Sequence, residues 1–317
     1  MPVIEISGLS KDYALGFWRK RPFRALHQLS LQIERGEVFG FLGPNGAGKT
    51  TTLKLLTGLI FPTEGTATIL GHPVGEPETF LHMGYLPEQP YFYDYLTAEE
   101  LLDYFARFFP LTPAERKRRR DAVLEQVGLA EFRHRPLRKF SKGMLQRVGI
   151  AQAVLHGPEI VLLDEPMSGL DPVGRREVRD LILQLKAEGK TVFFSTHILS
   201  DAEALCDRVA ILNRGRLVGV GRISELVEPR TGYEVVLECS SPEALPKLEA
   251  LATKPLFASG GQCRLEIPEQ SLPAVLAFCQ AGGLRLISLN PVRFSLEDYF
   301  VEVLRGADAN RPPASAP

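Results

Sequence analysis

Long apolar runs are missing from this 317-residue chain. None reaches the roughly 18 residues needed to span a bilayer, so no membrane-crossing helix is expected. The first residues, MPVIEISGLSKDY, carry Glu5, Lys11 and Asp12 without a long apolar stretch, and no signal peptide is expected. An excess of one charge is missing too. Thirty-seven Lys and Arg stand against 38 Asp and Glu, a net charge of −1. No overall field therefore draws the chain to nucleic acid or to a membrane surface. Cysteine is scarce: Cys206, Cys239, Cys263 and Cys279 form no CxxC pair. Free buried thiols are expected rather than a disulfide or a metal site. What remains is the composition of a globular protein, with 44% hydrophobic residues for a sizeable core. Its length suggests about two domains.

Periodicity orders the chain. Residues 1–12 and 25–35 alternate as strands, and VFGFLG is a short, wholly apolar run. TTLKLLTGLI reads as a helix with Leu53, Leu56 and Leu59 on one face, and residues 63–90 as short strands and turns. From about 97 to 156 the pattern is helical, with Thr97, Thr112 and Ser141 as N-caps. In PYFYDYLTAEELLDYFARFF, Leu101, Tyr104, Phe105 and Phe108 have the spacing of a core face. Strand and helix then alternate: IVLLDE, VGRREVRDLILQLKAEG, TVFFSTH, LSDAEALC, RVAILN. That order implies an α/β domain with a mostly parallel sheet. Near residue 226, Pro, Gly and Ser gather, and fresh strands and helices follow as a small α+β domain.

Three apolar runs stop at polar groups: VFGFLG at GPNGAGKTT, IVLLDE at Asp164 and Glu165, TVFFSTH at His197. Ligands of open α/β sheets bind outside the carboxyl ends of the strands, so one site built from these three ends is expected. Gly43, Pro44, Asn45, Gly46, Ala47, Gly48, Lys49 and Thr50 fit G-x-x-x-x-G-K-[ST] between a strand and a helix, with Thr51 next. Glycines let backbone N–H groups curl around phosphate oxygens. Lys49 then brings a point charge to the β/γ-phosphates and Thr50 a hydroxyl to Mg²⁺, with Asp164 as the second metal-organising group. Glu165 is placed to polarise an attacking water. The competing reading makes Asp164 or Glu165 a helix N-cap. His197 is read as a γ-phosphate partner against the alternative of a satisfied buried histidine.

In order, these motifs resemble the ATP-binding subunits of ABC transporters: Walker A at 43–50, Gln89 in YLPEQP, the signature FSKGMLQR, Walker B in IVLLDE, Asp171 in SGLDP and His197 in STH. The resemblance covers roughly residues 1–225. It implies a P-loop NTPase of ABC ATPase type, with a RecA-like mostly parallel sheet, a helical subdomain (about 90–157) and an antiparallel β subdomain. ATP and Mg²⁺ are the implied cofactors. Gln89 would touch Mg²⁺ and the attacking water, Glu165 would be the base, and His197 would hold the γ-phosphate. Tyr13 would stack on adenine, with Phe17, Trp18 and Phe23 as other rings nearby. Ser141 and Gly143 would close on ATP bound to a second copy across a head-to-tail dimer, and Asp171 would be the D-loop residue among the nucleotide-binding groups.

The wording S-x-G-M-x-Q-R, together with RFSLEDYFVEVL near the end, resembles the ABC-2-type exporter branch. The expected function is therefore an ATPase powering a separate integral membrane permease, held through it to the cytoplasmic face of the membrane. The pair would be a homodimer or a heterodimer. Tyr91 to Tyr95 read equally as core or as permease contact. The alternative is a soluble, non-transport ABC ATPase acting on a macromolecular complex. No nucleic acid partner is expected. The domains read as 1–225, 226–306 (α+β) and a disordered tail, 307–317.

Overall fold

The computed structural model describes residues 2–16, 21–227, 229–239, 245–253, 256–281, 284–293 and 295–309. The chain divides into two compact units, Met1–Ile223 with Phe300–Pro317, and Ser224–Tyr299.

In the first unit a long hairpin, β1 (Pro2–Leu15) and β2 (Arg21–Glu34), pairs antiparallel and carries Tyr13 opposite Phe23. Both strands extend further toward the turn than the alternation predicts. Residues 13–15 and 21–24 carry on the ladder although their sequence is rich in Arg and rings. Salt bridges from Arg24 to Asp12 (2.7 Å) and Glu64 (3.4 Å) stitch this extension. β1 also pairs with β4 (Glu64–Ile69), and β5 (His72–Pro73) completes this antiparallel sheet.

The central sheet contains β3 (Val38–Leu42), β6 (Met83–Leu86), β7 (Ile160–Asp164), β8 (Thr191–Thr196), β9 (Arg208–Asn213) and β10 (Arg216–Arg222). Its order is β10-β9-β3-β8-β7-β6, and every pair is parallel except β10 with β9. All residues of β3, β7 and β8 are buried. Phe39, Phe41, Leu162 and Phe193 share a core with Leu53, Leu56 and the β1–β2 hairpin, and strands buried this fully read as continuous apolar runs. Because β8 lies between β3 and β7, the three strand ends singled out in the sequence are neighbours.

Helix α1 (Lys49–Leu56) follows β3. The short α2 (Pro77–His82) had no periodic signal in the sequence. α3 (Ala98–Ala106) and α4 (Pro113–Gln126) are capped by Thr97 and Thr112, as expected, and Glu100 and Glu115 complete a capping box at each. α5 (Lys142–Val154) is capped by Ser141, α6 (Pro172–Ala187) by Asp171, and α7 (Leu199–Leu205) follows β8. The expected core face of α3 is corrected. Ala98, Leu101, Leu102 and Ala106 are buried, while Tyr104 and Phe108 are exposed. Small Ala98 and Ala106 let the helix sit close to its neighbours. The displaced rings pack instead on one another, Tyr104 edge-on to Phe108 at 5.3 Å and to Tyr93 at 6.2 Å. Tyr91, Tyr93 and Tyr95 are exposed, so their core reading fails.

After α8 (Ile223–Leu226) the second unit forms a four-stranded antiparallel sheet, β12-β13-β11-β14, from β11 (Pro229–Cys239), β12 (Phe257–Ser259), β13 (Gln262–Pro268) and β14 (Leu284–Arg293). α9 (Leu245–Glu249) and α10 (Leu272–Gln280) supply Leu248 and Val275 to a core with Val235, Leu237, Leu265 and Ile267. Cys206 and Cys263 are buried free thiols, and Cys279 is free and half-buried. α11 (Leu296–Ala309) runs three residues into the segment expected to be disordered. The rest of that tail lies outside the described residues.

Candidate functional site

β3 ends at Leu42, and residues 43–48 turn the chain into α1. A Cβ on Gly43 would stand 2.4 Å from the Leu212 carbonyl, and one on Gly48 2.9 Å from the Ala25 carbonyl. Gly48 also has φ +107, a region that only glycine adopts without strain. The loop is thus pressed against β9 and β2 from behind. No side chain caps α1, in contrast to α3, α4, α5 and α6. Its first N–H groups have no intrahelical partner, and such a terminus attracts anions.

Lys49, the first residue of α1, is buried. Its Nζ donates to the carbonyls of Gly43 (2.7 Å) and Pro44 (3.3 Å) and pairs with Glu165 Oε1 at 3.1 Å. The other oxygen, Glu165 Oε2, lies 2.8 Å from His197 Nδ1. Glu165 therefore joins the ends of all three strands through one carboxylate. It has φ +48, a left-handed conformation that costs a non-glycine residue roughly 1–2 kcal/mol. Strain of this kind gathers at functional sites. The N-cap reading of Asp164 and Glu165 is excluded: the helix that follows starts at Pro172 and is capped by Asp171, which accepts from the Gly174 N–H at 3.0 Å.

Asp164 is fully buried at the end of β7. Its Oδ1 accepts from Ser195 Oγ (2.6 Å) and Thr50 Oγ1 (3.3 Å). Its Oδ2 is buried with no hydrogen-bond partner among the described residues. Burial pushes the Asp164 carboxyl above its ordinary pKa. Hydrogen bonds from Ser195 and Thr50 pull it back, and the charges of Glu88 and Glu165 add to the rise. A buried carboxylate oxygen without a donor, beside a threonine hydroxyl, suits a hard cation with oxygen ligands. The residues present therefore fit Mg²⁺.

A cavity of about 420 Å³ opens over this cluster. Tyr13, Phe23 and Ala25 form one side, and Asn45, Gly46, Ala47, Gly48, Lys49, Thr50 and Thr51 the floor. Glu88, Glu165, Ser168 and His197 complete it. Tyr13 lines this cavity together with Phe23, its cross-strand partner. Phe17 and Trp18 lie outside the described residues.

Gln89 does not line the cavity, whereas Glu88 does, and both residues are exposed. The chain bends at Glu88 and Gln89 directly after β6, and a one-residue shift on such a segment exchanges which side chain faces the site. Ser141, Gly143 and Asp171 do not line the cavity of their own chain. They sit together elsewhere: a Cβ on Gly143 would lie 4.0 Å from Gly174 Cα, in the first turn of α6. Ser141 Oγ accepts from the Met144 N–H (3.2 Å), so Ser141 caps the signature helix as expected.

Sequence reasoning missed Ser195 and Glu88 as members of the site. Ser195 had a signal: a hydroxyl inside an apolar, buried strand must find a partner.

The family model described as ABC transporter matches residues 26–168. An uncharacterised ABC transporter ATP-binding protein of Synechocystis is 49% identical over 96% of this chain and 85% of its own length. The bacitracin transport ATP-binding protein BcrA of Enterococcus faecalis is 34% identical over 96% of this chain and 97% of its own. Among solved structures, an ATP-binding subunit of an ABC transporter matches 71% of this chain and 91% of its own, at 35% identity and TM-score 0.62. The ATP-binding cassette MJ0796, solved as a dimer in a post-hydrolysis state with ADP and Pi, matches 69% of this chain and 98% of its own, at 27% identity and TM-score 0.63.

Proposed function

The chain belongs to the ATP-binding proteins of the ABC transporter family and is an ATPase, and from that premise we propose that it powers export through a separate membrane permease of ABC-2 type. The observation that carries the catalytic part is the single carboxylate, Glu165, bonded at once to Lys49 and His197. The export part is supported by the likeness to a bacitracin transport protein along nearly the whole chain and by the signature wording. Among the described residues no helix is long and apolar enough to cross a membrane. A chain of this kind borrows its membrane path from a partner and sits at the cytoplasmic face through it. Tyr91, Tyr93 and Tyr95, exposed just after β6, are suited to that contact.

In this reading the uncapped start of α1 and the loop 43–48 bind the phosphates of ATP, and Tyr13 with Phe23 holds the adenine. Lys49 turns its charge from the Gly43 and Pro44 carbonyls to the β/γ-phosphates. Thr50 and Asp164 would hold Mg²⁺, which when bound neutralises phosphate charge. Glu165 orients water and takes its proton, and His197 contacts the γ-phosphate. Ser141 and Gly143, remote from their own cavity, act on ATP held by a second copy in a head-to-tail dimer, with Asp171 beside them. A complete set of motifs allows two identical chains to do this.

Glu88 adds a carboxylate to the phosphate side. Replacing Glu88 with Gln is expected to weaken Mn²⁺ binding in the presence of a non-hydrolysable ATP analogue by roughly tenfold, while Gln89→Ala leaves it unchanged. Electron paramagnetic resonance titration reads this. Weakening by Gln89→Ala alone would return the role to the glutamine.

Affinity purification of the chain from detergent-solubilised membranes tests the transport reading. A stoichiometric multi-span membrane protein is expected to accompany it. Recovery from the soluble fraction alone, or with ribosomes, would leave an ATPase without a transport role.

A further inference from the structure

We propose that Ser195 is a positioning residue for hydrolysis: its one hydroxyl fixes both consecutive carboxylates, Asp164 and Glu165. The inference rests on the reading of Glu165 as the group that activates water.

Ser195 lies on β8, directly paired with Asp164 of β7 in the parallel ladder, and is fully buried. A serine hydroxyl has one proton to give and two lone pairs to offer. Here the proton goes to Asp164 Oδ1 (2.6 Å), and a lone pair accepts the Glu165 N–H (2.9 Å). Each bond has a separate consequence.

The first bond, with Thr50, occupies Oδ1 and leaves Oδ2 as the unpartnered oxygen. Ser195 thereby decides which face of the Asp164 carboxylate is presented. The second bond holds the backbone where the chain leaves the sheet. Regular parallel pairing of β7 with β8 stops at Asp164. The next residue, Glu165, turns to φ +48, and its N–H is received by a side chain. That turn sends the Glu165 carboxylate toward both Lys49 and His197. Without the hydroxyl, a buried N–H loses its acceptor and the strained turn loses its anchor. Two residues on, the same strand end supplies His197, so β8 sets the base and its partner together.

The test compares Ser195→Thr with Ser195→Val in the full chain. The two side chains have the same shape and differ in the hydroxyl. The Val protein is expected to turn over ATP roughly tenfold or more slowly than the Thr protein, with ATP affinity within about threefold by fluorescence titration. Ser195→Ala gives the same split without the extra methyl. In a cycle with Glu165→Gln, the loss at Ser195 is expected to shrink severalfold, to the part that acts through Asp164, because Ser195 and Glu165 share the other part. Equal turnover of the Thr and Val proteins, or a loss of the same size in the Glu165→Gln background, would overturn the proposal. If Glu165→Gln itself turned over normally, the reading of Glu165 would fail separately, whatever the Thr and Val proteins showed.

Discussion

Glu165→Gln is expected to lower steady-state ATP turnover by roughly 10²–10⁴-fold, the usual worth of a positioned general base. The swap keeps size and shape, and the side chain is almost fully buried between two fixed partners. Its amide still reaches His197, and Lys49 keeps the Gly43 and Pro44 carbonyls. The fold and the phosphate loop are therefore retained. What disappears is the oxygen that accepts a proton from water. Removing a negative charge from the phosphate side also favours the anion, so ATP affinity holds or rises. The ATP-bound pair of chains then accumulates, because hydrolysis no longer releases it.

Lys49→Met is expected to act on the other axis, weakening ATP binding by roughly two orders of magnitude or more. The Lys49 and Glu165 side chains are 6% and 8% exposed, so this is a buried ion pair. Removing one partner of such a pair costs about 3–5 kcal/mol of folding stability, and Glu165 then keeps only its contact with His197. Here the remaining charge is a carboxylate facing the place where the γ-phosphate would come. The variant thus loses an attraction and gains a repulsion. A titration with a fluorescent ATP analogue reads the loss. An affinity like that of the unmodified protein would show that Lys49 serves the loop and not the phosphates.

The parts of this site that were legible in the sequence are those where one residue type has one physical use. Gly48 and Lys49 sit at a strand-to-helix turn that needs a positive φ and a charge. Thr97, Thr112 and Ser141 cap helices through side-chain oxygens. The three apolar runs betrayed their burial by having no polar face. Where several residues could serve, the local pattern does not choose among them. Glu88 and Gln89 are adjacent, both polar, and lie on a bend with no period to say which faces in. Tyr104 and Phe108 have the spacing of a core face, yet Ala98 and Ala106 pack closer and displace them. The end of the β1–β2 hairpin is held by Arg24 and its acids, contacts between distant residues that no local pattern announces. Ser195 was visible as a polar residue in a dry strand, but its partners lie on β7 and emerge only from the order of the sheet.

The most direct measurement is phosphate release and nucleotide affinity taken side by side on the purified full chain and its Glu165→Gln variant, in Mg·ATP. The account predicts release reduced at least a hundredfold at equal or tighter affinity. Release that stays within a few-fold of the unmodified protein would contradict it, and the base would have to be sought elsewhere in the cavity.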